Sequence, residues 1–283
     1  MWAVFKRDLF KNWLMILGWG LGFGLLSYFL FDIYEAMFLQ NVDLVQLLEA
    51  FPEGMMAFFG GEEIDIFEPA GFVHLEFFSY IHIILGIMII NSATSLLVKK
   101  EEEGTLELTI SQPISRTELF WSRLFALLLS LVLIFVLIWA GFALGLENVD
   151  TFDLNRSQLM LPLVSLMAVL LVFLSFGLVL SLILSSSSAA NLVSGFILIA
   201  SYFITSLSQI DSRLETLNQF SPLRFYQGGS AINGLNTEHA LILFGISTAL
   251  IAAAWFLFEK RDFRFGTTGG FRINLPWKTK KGG

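Results

Sequence analysis

Hydrophobic positions along this chain fall in long runs uninterrupted by Asp, Glu, Lys or Arg. Asn12 to Phe31 is the first run, Phe77 to Val98 the second and Leu124 to Leu146 the third. The run from Ser157 to Ile210 is too long for one span, and its middle carries Ser185, Ser186, Ser187 and Ser188 followed by Ala189, Ala190 and Asn191, a turn-forming stretch. It therefore counts as two. Ala240 to Phe258 is the sixth. Each matches the ~20 residues needed to cross a hydrocarbon core of ~30 Å. In lipid every backbone N–H and C=O needs an internal partner, and runs this long and uniform satisfy that as helices rather than barrel strands. The pattern predicts an all-α integral membrane protein forming a single domain over 1–283. Its six spans lie at about 13–34, 77–98, 119–146, 159–184, 191–210 and 239–258.

The first run follows Lys6, Arg7 and Lys11, as a signal peptide would, but it is long enough to span. It ends in Tyr28, Phe29, Phe31 and Tyr34, an aromatic interface belt, with no small-residue cleavage site. It reads as a retained span. Ahead of it, residues 2–12 place Trp2, Phe5, Leu9 and Trp13 on one helical face and the three cations where headgroups lie, the pattern of an interfacial amphipathic helix.

Composition strengthens the membrane reading. The 283 residues are 55% hydrophobic and 14% charged, with 30 Phe and 7 Trp, and mean hydropathy is +0.73. Soluble domains carry about one quarter charged residues. With no Cys, disulfides and thiolate chemistry are excluded. The distribution of charge says more than its net value of −7. Fourteen of the seventeen basic residues fall in the N-terminal segment, in the loop after the second span and in the C-terminal tail. The other face has only Arg156, Arg213 and Arg224. The segment from Asp32 to Gly71 holds nine acidic residues and no Lys or Arg. The positive-inside rule then predicts both termini in the cytoplasm.

The connections are expected to carry structure of their own. An external loop over 36–73 is long for a structureless link. Val42, Val45, Leu47 and Leu48 suggest a surface helix there, with breaks at Phe51–Gly54 and Phe58–Gly61. Between Asp211 and His239, Ser221–Pro222 reads as an N-cap with Pro at the first helical position. A short re-entrant helix and a plain loop both fit that segment. The loop 99–118 is the most informative. A turn at Gly104 and a short helix from Thr105, with Glu107 near its positive end, are stopped by Pro113. Ser115 and Glu118 then form a capping box that opens the third span. The loop thus offers a short helix to the cytoplasm.

These residues carry a resemblance. Glu101-Glu102-Glu103-Gly104-Thr105-Leu106-Glu107-Leu108, followed by Pro113-Ile114-Ser115-Arg116, resembles the coupling loop of type 2 ABC transporter permeases. Ser221–Pro222 before the last span and Phe258-Glu259-Lys260-Arg261-Asp262-Phe263 just inside the membrane resemble further stretches of that family. The likeness in layout covers essentially the whole chain. It implies a permease of an ATP-driven exporter in a bacterial or archaeal cell membrane. It also implies pairing with a second permease subunit, as homodimer or heterodimer, and docking on a separate ABC ATPase. The short helix would be a coupling helix, with Leu106, Leu108 and Ile110 as its apolar contacts and Glu101, Glu102, Glu103, Glu107 and Arg116 as its polar ones. ATP and Mg are expected on that partner, with no cofactor in this chain, since it has no Gly-x-x-x-x-Gly-Lys-Ser/Thr phosphate loop. No feature points to nucleic acid.

Two other classes compete. A membrane hydrolase would need a motif such as His-Glu-x-x-His or Gly-x-Ser-x-Gly, and the chain has neither, with three His in all. An ion-driven carrier would need ionisable groups at mid-membrane. Here Glu76 and His82 reach only the outer half of the second span. Glu76, Ser79, His82 and Asn91 are the candidate lining of a translocation path, against the plainer reading of an interfacial Glu76 and a His82 bonded to a neighbouring helix. Gly18, Gly20, Gly22 and Gly24 give two overlapping Gly-x-x-x-Gly pairs, for a subunit seam or for packing within the subunit; Gly141 and Gly145 repeat the pattern. The serine run at 185–188 has the makings of a phosphate nest, though a short turn accounts for it more simply.

Overall fold

The computed structural model describes residues 1–39, 58, 69–99, 115–149, 154–184 and 186–260. Among these there is no strand, and six helices are long and apolar enough to cross a membrane. The interfacial helix α1 (Trp2–Lys11) joins α2 (Trp13–Leu39) through Asn12. The second span, α3, is a continuous rod made of Pro69–Val73, a π turn His74–Phe78, the α-helix Ser79–Thr94 and a second π turn Ser95–Lys99. Then come α4 (Arg116–Gly145), α5 (Met160–Ile183), α6 (Ser187–Leu207) and α7 (Thr237–Lys260).

Several bounds differ from those read in the sequence. α2 runs on to Leu39 and α3 begins at Pro69, both inside the stretch 36–73 expected as loop. The acidic Asp32 and Glu35 near the end of α2 and Glu76 near the start of α3 hid these extra turns, because a helix leaving the hydrocarbon tolerates charge. The expected surface helix near Val42–Leu48 and the coupling helix from Thr105 lie outside the described residues.

α3 and α5 are the centre of the subunit, with two thirds of each span buried, against 22% for α7 and 28% for α6. α2 packs on α4, α7 on α5, and α6 against both α3 and α5. Small residues set the α2–α4 distance. A Cβ on Gly141 would sit 2.0 Å from the Gly24 carbonyl oxygen, and one on Gly145 2.4 Å from that of Tyr28. Ser27 Oγ lies within 3.0 Å of both Gly24 O and Ile138 O in the same seam. The glycine row of α2 is thereby divided. Gly20 and Gly24 meet Leu137 on α4, whereas Gly18 and Gly22 have open space before them. Leu14, Leu21, Leu25 and Phe29 are exposed alongside that open face.

The face bearing α1 and the end of α7 is tied together by side chains. Asn12 Nδ2 donates to Ser130 Oγ at 3.1 Å and Ser122 Oγ to the Met1 carbonyl at 3.1 Å, so α1 lies on the start of α4. α1 is amphipathic, yet Val4 and Asp8 are its buried residues, while Trp2 and Phe10 are exposed. Asp8 is turned inward because Arg123 waits beneath it. That cation, counted in the sequence among loop charges, is 1% exposed inside α4. The predicted capping box is present: Ser115 Oγ accepts from Glu118 N–H, and the Glu118 carboxylate from Ser115 N–H. Between α5 and α6, Ser186 caps α6 by accepting the Ala189 N–H at 3.1 Å, so Ser186, Ser187 and Ser188 open a helix.

Candidate polar cavity and coupling face

On the face opposite α1, a cavity of about 330 Å³ is bordered by α3, α6 and the start of α7. It is floored by the segment between α6 and α7. That segment forms 3-10 turns at Pro222–Phe225 and Gly228–Asn233 rather than one re-entrant helix. Pro222 stands at the first helical position, but Ser221 does not cap the turn with its side chain. Its hydroxyl turns to α6 instead, 2.8 Å from Thr205 Oγ1 and 3.3 Å from the Ser201 carbonyl. A buried hydroxyl takes the nearest acceptors, and here these belong to the neighbouring span.

All three histidines of the chain line this cavity. His74 sits in the first π turn of α3. Its Nδ1 accepts the Gly229 N–H at 2.9 Å, which places its ring proton on Nε2. The backbone approaches this closely because residues 228 and 229 lack side chains. A Cβ on either would come within 2.6 Å of His74, and Gly228 has φ +52°. π turns are common where helices serve a site, since they shift the side chains that follow. Here Ser79 and His82 come next. His82 Nδ1 lies 3.3 Å from the Phe78 carbonyl, which also accepts Tyr226 OH at 2.9 Å. The His82 ring is flanked by Tyr226 and Tyr202. Tyr202 OH donates to the carbonyl of Phe58 at 3.0 Å. Burial raises the Tyr226 phenol well above its ordinary pKa, so it stays neutral. His239 comes from the first turn of α7, its ring edge-on to Phe225 and its Nδ1 buried without a hydrogen bond.

Of the four residues proposed for a path, Ser79 and His82 line the cavity. Glu76 is exposed and does not line it. Asn91 lies nine residues further along α3, about 13 Å by helical rise, where its Oδ1 accepts from Asn191 Nδ2 of α6 at 3.1 Å. Sequence reasoning missed His74, His239, Tyr202 and Tyr226. One signal was available: His74, His82 and His239 all fall at span ends on one membrane face once six spans are counted.

At the opposite face, residues 100–114 of the expected coupling loop lie outside the described residues. Its two flanks do not. The second π turn of α3 leads into it. Leaving it, Arg116 Nη1 donates to the Glu259 carbonyl at 3.1 Å, and Thr117 Oγ1 bonds the Glu259 carboxylate. A cation is thus set on the carbonyl end of α7, where the helix dipole favours it.

Among the described residues no three His, Asp or Glu converge as a metal site. Six helices long and apolar enough to cross a membrane, three of them around a polar cavity, mark a multi-pass membrane protein. The chain matches the ABC-2 family transporter protein over residues 18–263 and belongs to that family. It is a membrane permease component of an ABC transporter, a family that works with an ABC ATPase in the bilayer. No curated protein matches the chain.

Proposed function

We propose that this chain is the membrane-spanning half of an ATP-driven exporter, paired with a second permease subunit and coupled through the 99–118 loop to a separate ATPase that holds ATP and Mg. The observation that carries this reading is the run Glu101 to Arg116, with its acidic cluster, Gly104-Thr105-Leu106-Glu107 and Pro113, joining the ends of α3 and α4. Leu106, Leu108 and Ile110 supply an apolar contact and Glu102, Glu103 and Glu107 a charged rim for the partner. Charge asymmetry supports a cytoplasmic location for both termini and this loop. The polar cavity then opens toward the outside.

A push on the loop reaches both helices that flank it. Arg123 joins them physically, since its Nη1 donates to the Leu96 carbonyl of α3 at 3.0 Å from within α4. Displacement at the loop therefore moves α3 and α4 together, and α3 carries His74, Ser79 and His82 at its far end. The test is Glu102→Lys combined with Glu107→Lys. Membrane insertion stays normal and partner-stimulated ATP turnover is lost; stimulation equal to wild type overturns the coupling role.

A further inference from the structure

We infer that the cavity lined by the three histidines binds an oxyanion of the phosphate type, with Arg224 as its charged anchor. The sign of the site is the first argument. Arg224 is the one permanently charged residue in the lining, and no Asp or Glu lines the cavity among the described residues. Its guanidinium is exposed and, among the described residues, has no hydrogen bond or ion pair. An Arg fork meets two oxygens of one oxyanion at once.

The second argument is which polar atoms remain uncommitted. Tyr202 OH, Tyr226 OH and Ser230 Oγ already donate to backbone carbonyls. The Gln227 side-chain carbonyl accepts the Asn236 N–H at 2.8 Å, which leaves its NH2 as the free end. His239 Nδ1 is buried without a partner. The open capacity is thus richer in donors than in acceptors: a guanidinium, the NH2 groups of Gln227 and Gln209 and an imidazole that donates in one of its tautomers, against the Gln209 side-chain carbonyl. A cationic ligand would meet Arg224 with no carboxylate to offset it. Phe58, His82, Tyr202 and Tyr226 wall the cavity, and Arg224 meets a ligand from its exposed rim. The volume of about 330 Å³ admits a phosphate group with room for the atoms attached to it.

Such a group arrives either as a soluble anion or on a lipid headgroup. Two of the candidate path residues, Ser79 and His82, line this cavity, but its binding needs no ATPase. Failure here leaves the coupling reading standing, and failure of coupling leaves this one standing. The full-length chain in neutral detergent is melted with increasing sodium phosphate against sodium chloride of equal ionic strength. In parallel it is melted with dioleoyl phosphatidylglycerol against dioleoyl phosphatidylcholine. A ligand that binds only the folded state raises the melting temperature with concentration. A rise with inorganic phosphate assigns a soluble anion, and a rise with phosphatidylglycerol alone assigns a headgroup. In either case Arg224→Gln weakens the effect about tenfold or more, the loss of one charged hydrogen-bonded contact. Gln227→Glu, which brings a carboxylate to the site, weakens it as well. Arg213→Gln, an exposed cation outside the cavity, leaves it unchanged. No rise above the chloride and phosphatidylcholine controls, or an equal rise in Arg224→Gln, overturns the inference.

Discussion

The Nε of Arg123 lies 3.5 Å from Oδ2 of Asp8, with 1% and 8% of the two side chains exposed. The contact is an ion pair without a hydrogen bond between those atoms, because Arg123 Nε has no hydrogen-bond partner. The guanidinium spends a hydrogen bond on Leu96 instead. One buried cation thereby joins the interfacial helix, the end of the second span and the start of the third. Removing Asp8 strands the Arg123 charge in a dry site, at a cost of ~3–5 kcal/mol, whereas removing Arg123 leaves Asp8 its bond from Arg7 Nε at 3.3 Å and costs less. Asp8→Leu and Arg123→Met each lower the melting temperature of the purified chain. The double substitution recovers part of that loss, as replacement of a buried pair by apolar groups often does. Equal additive losses in the double-mutant cycle would show the two residues to be uncoupled.

Glycine substitutions separate the two faces of α2. Gly141→Ala drives a methyl group into the Gly24 backbone, which cannot yield as a side-chain tip can. The expected cost is ~1–3 kcal/mol. Gly22→Ala meets open space and leaves the melting temperature close to wild type. Thermal unfolding of the two variants checks this, and equal effects would contradict the α2–α4 seam.

The absence of native Cys makes single-cysteine crosslinking clean. If the second permease subunit docks on the open face of α2, Gly22→Cys yields a disulfide-linked dimer in oxidised membranes and Gly24→Cys does not. Gels run without reductant report the outcome, and dimer from neither variant places the second subunit elsewhere.

Tyr226 gives the protein an alkaline limit. Its buried phenol is held neutral, with the pKa raised by burial. The unfolded chain releases that proton near pH ~10, while the folded chain keeps it. The contribution is therefore full below about pH 10 and is lost as pH rises toward the folded value. In Tyr226→Phe the fall in melting temperature between about pH 9 and 11 becomes shallower. The variant is also less stable near neutrality by ~1 kcal/mol, for the lost bond to Phe78. A fall as steep as wild type would assign alkaline sensitivity to other groups.

The start of α4 should be sensitive to its cap. Ser115→Ala removes the acceptor for the Glu118 N–H and costs ~1 kcal/mol. Ser115→Asp, which still accepts there, retains most of that stability. Chemical denaturation of the three proteins measures it, and equal stability of all three would show the capping box to be idle.

The run lengths alone determined that the chain crosses a membrane as six helices, since an unsatisfied backbone in hydrocarbon allows no other reading of twenty apolar residues. Local chemistry also decided the Ser115–Glu118 box, whose donors and acceptors lie within one turn. Tertiary structure decided everything that depends on which helix lies beside which. Nothing near Asp8 in the sequence announces Arg123, 115 positions away, and nothing near His74 announces Gly229. Ser221 has the sequence of a cap, yet it bonds α6 because the fold sets Thr205 within reach. Of the site, His82 and Ser79 were legible as polar groups in an apolar run. His74 and His239 had no local signal of a shared site, and only packing brought their ends of α3 and α7 around one cavity. Lipid makes apolar faces alike, so hydrophobicity records which segments enter the bilayer; steric fit and polar pairing between helices choose their neighbours.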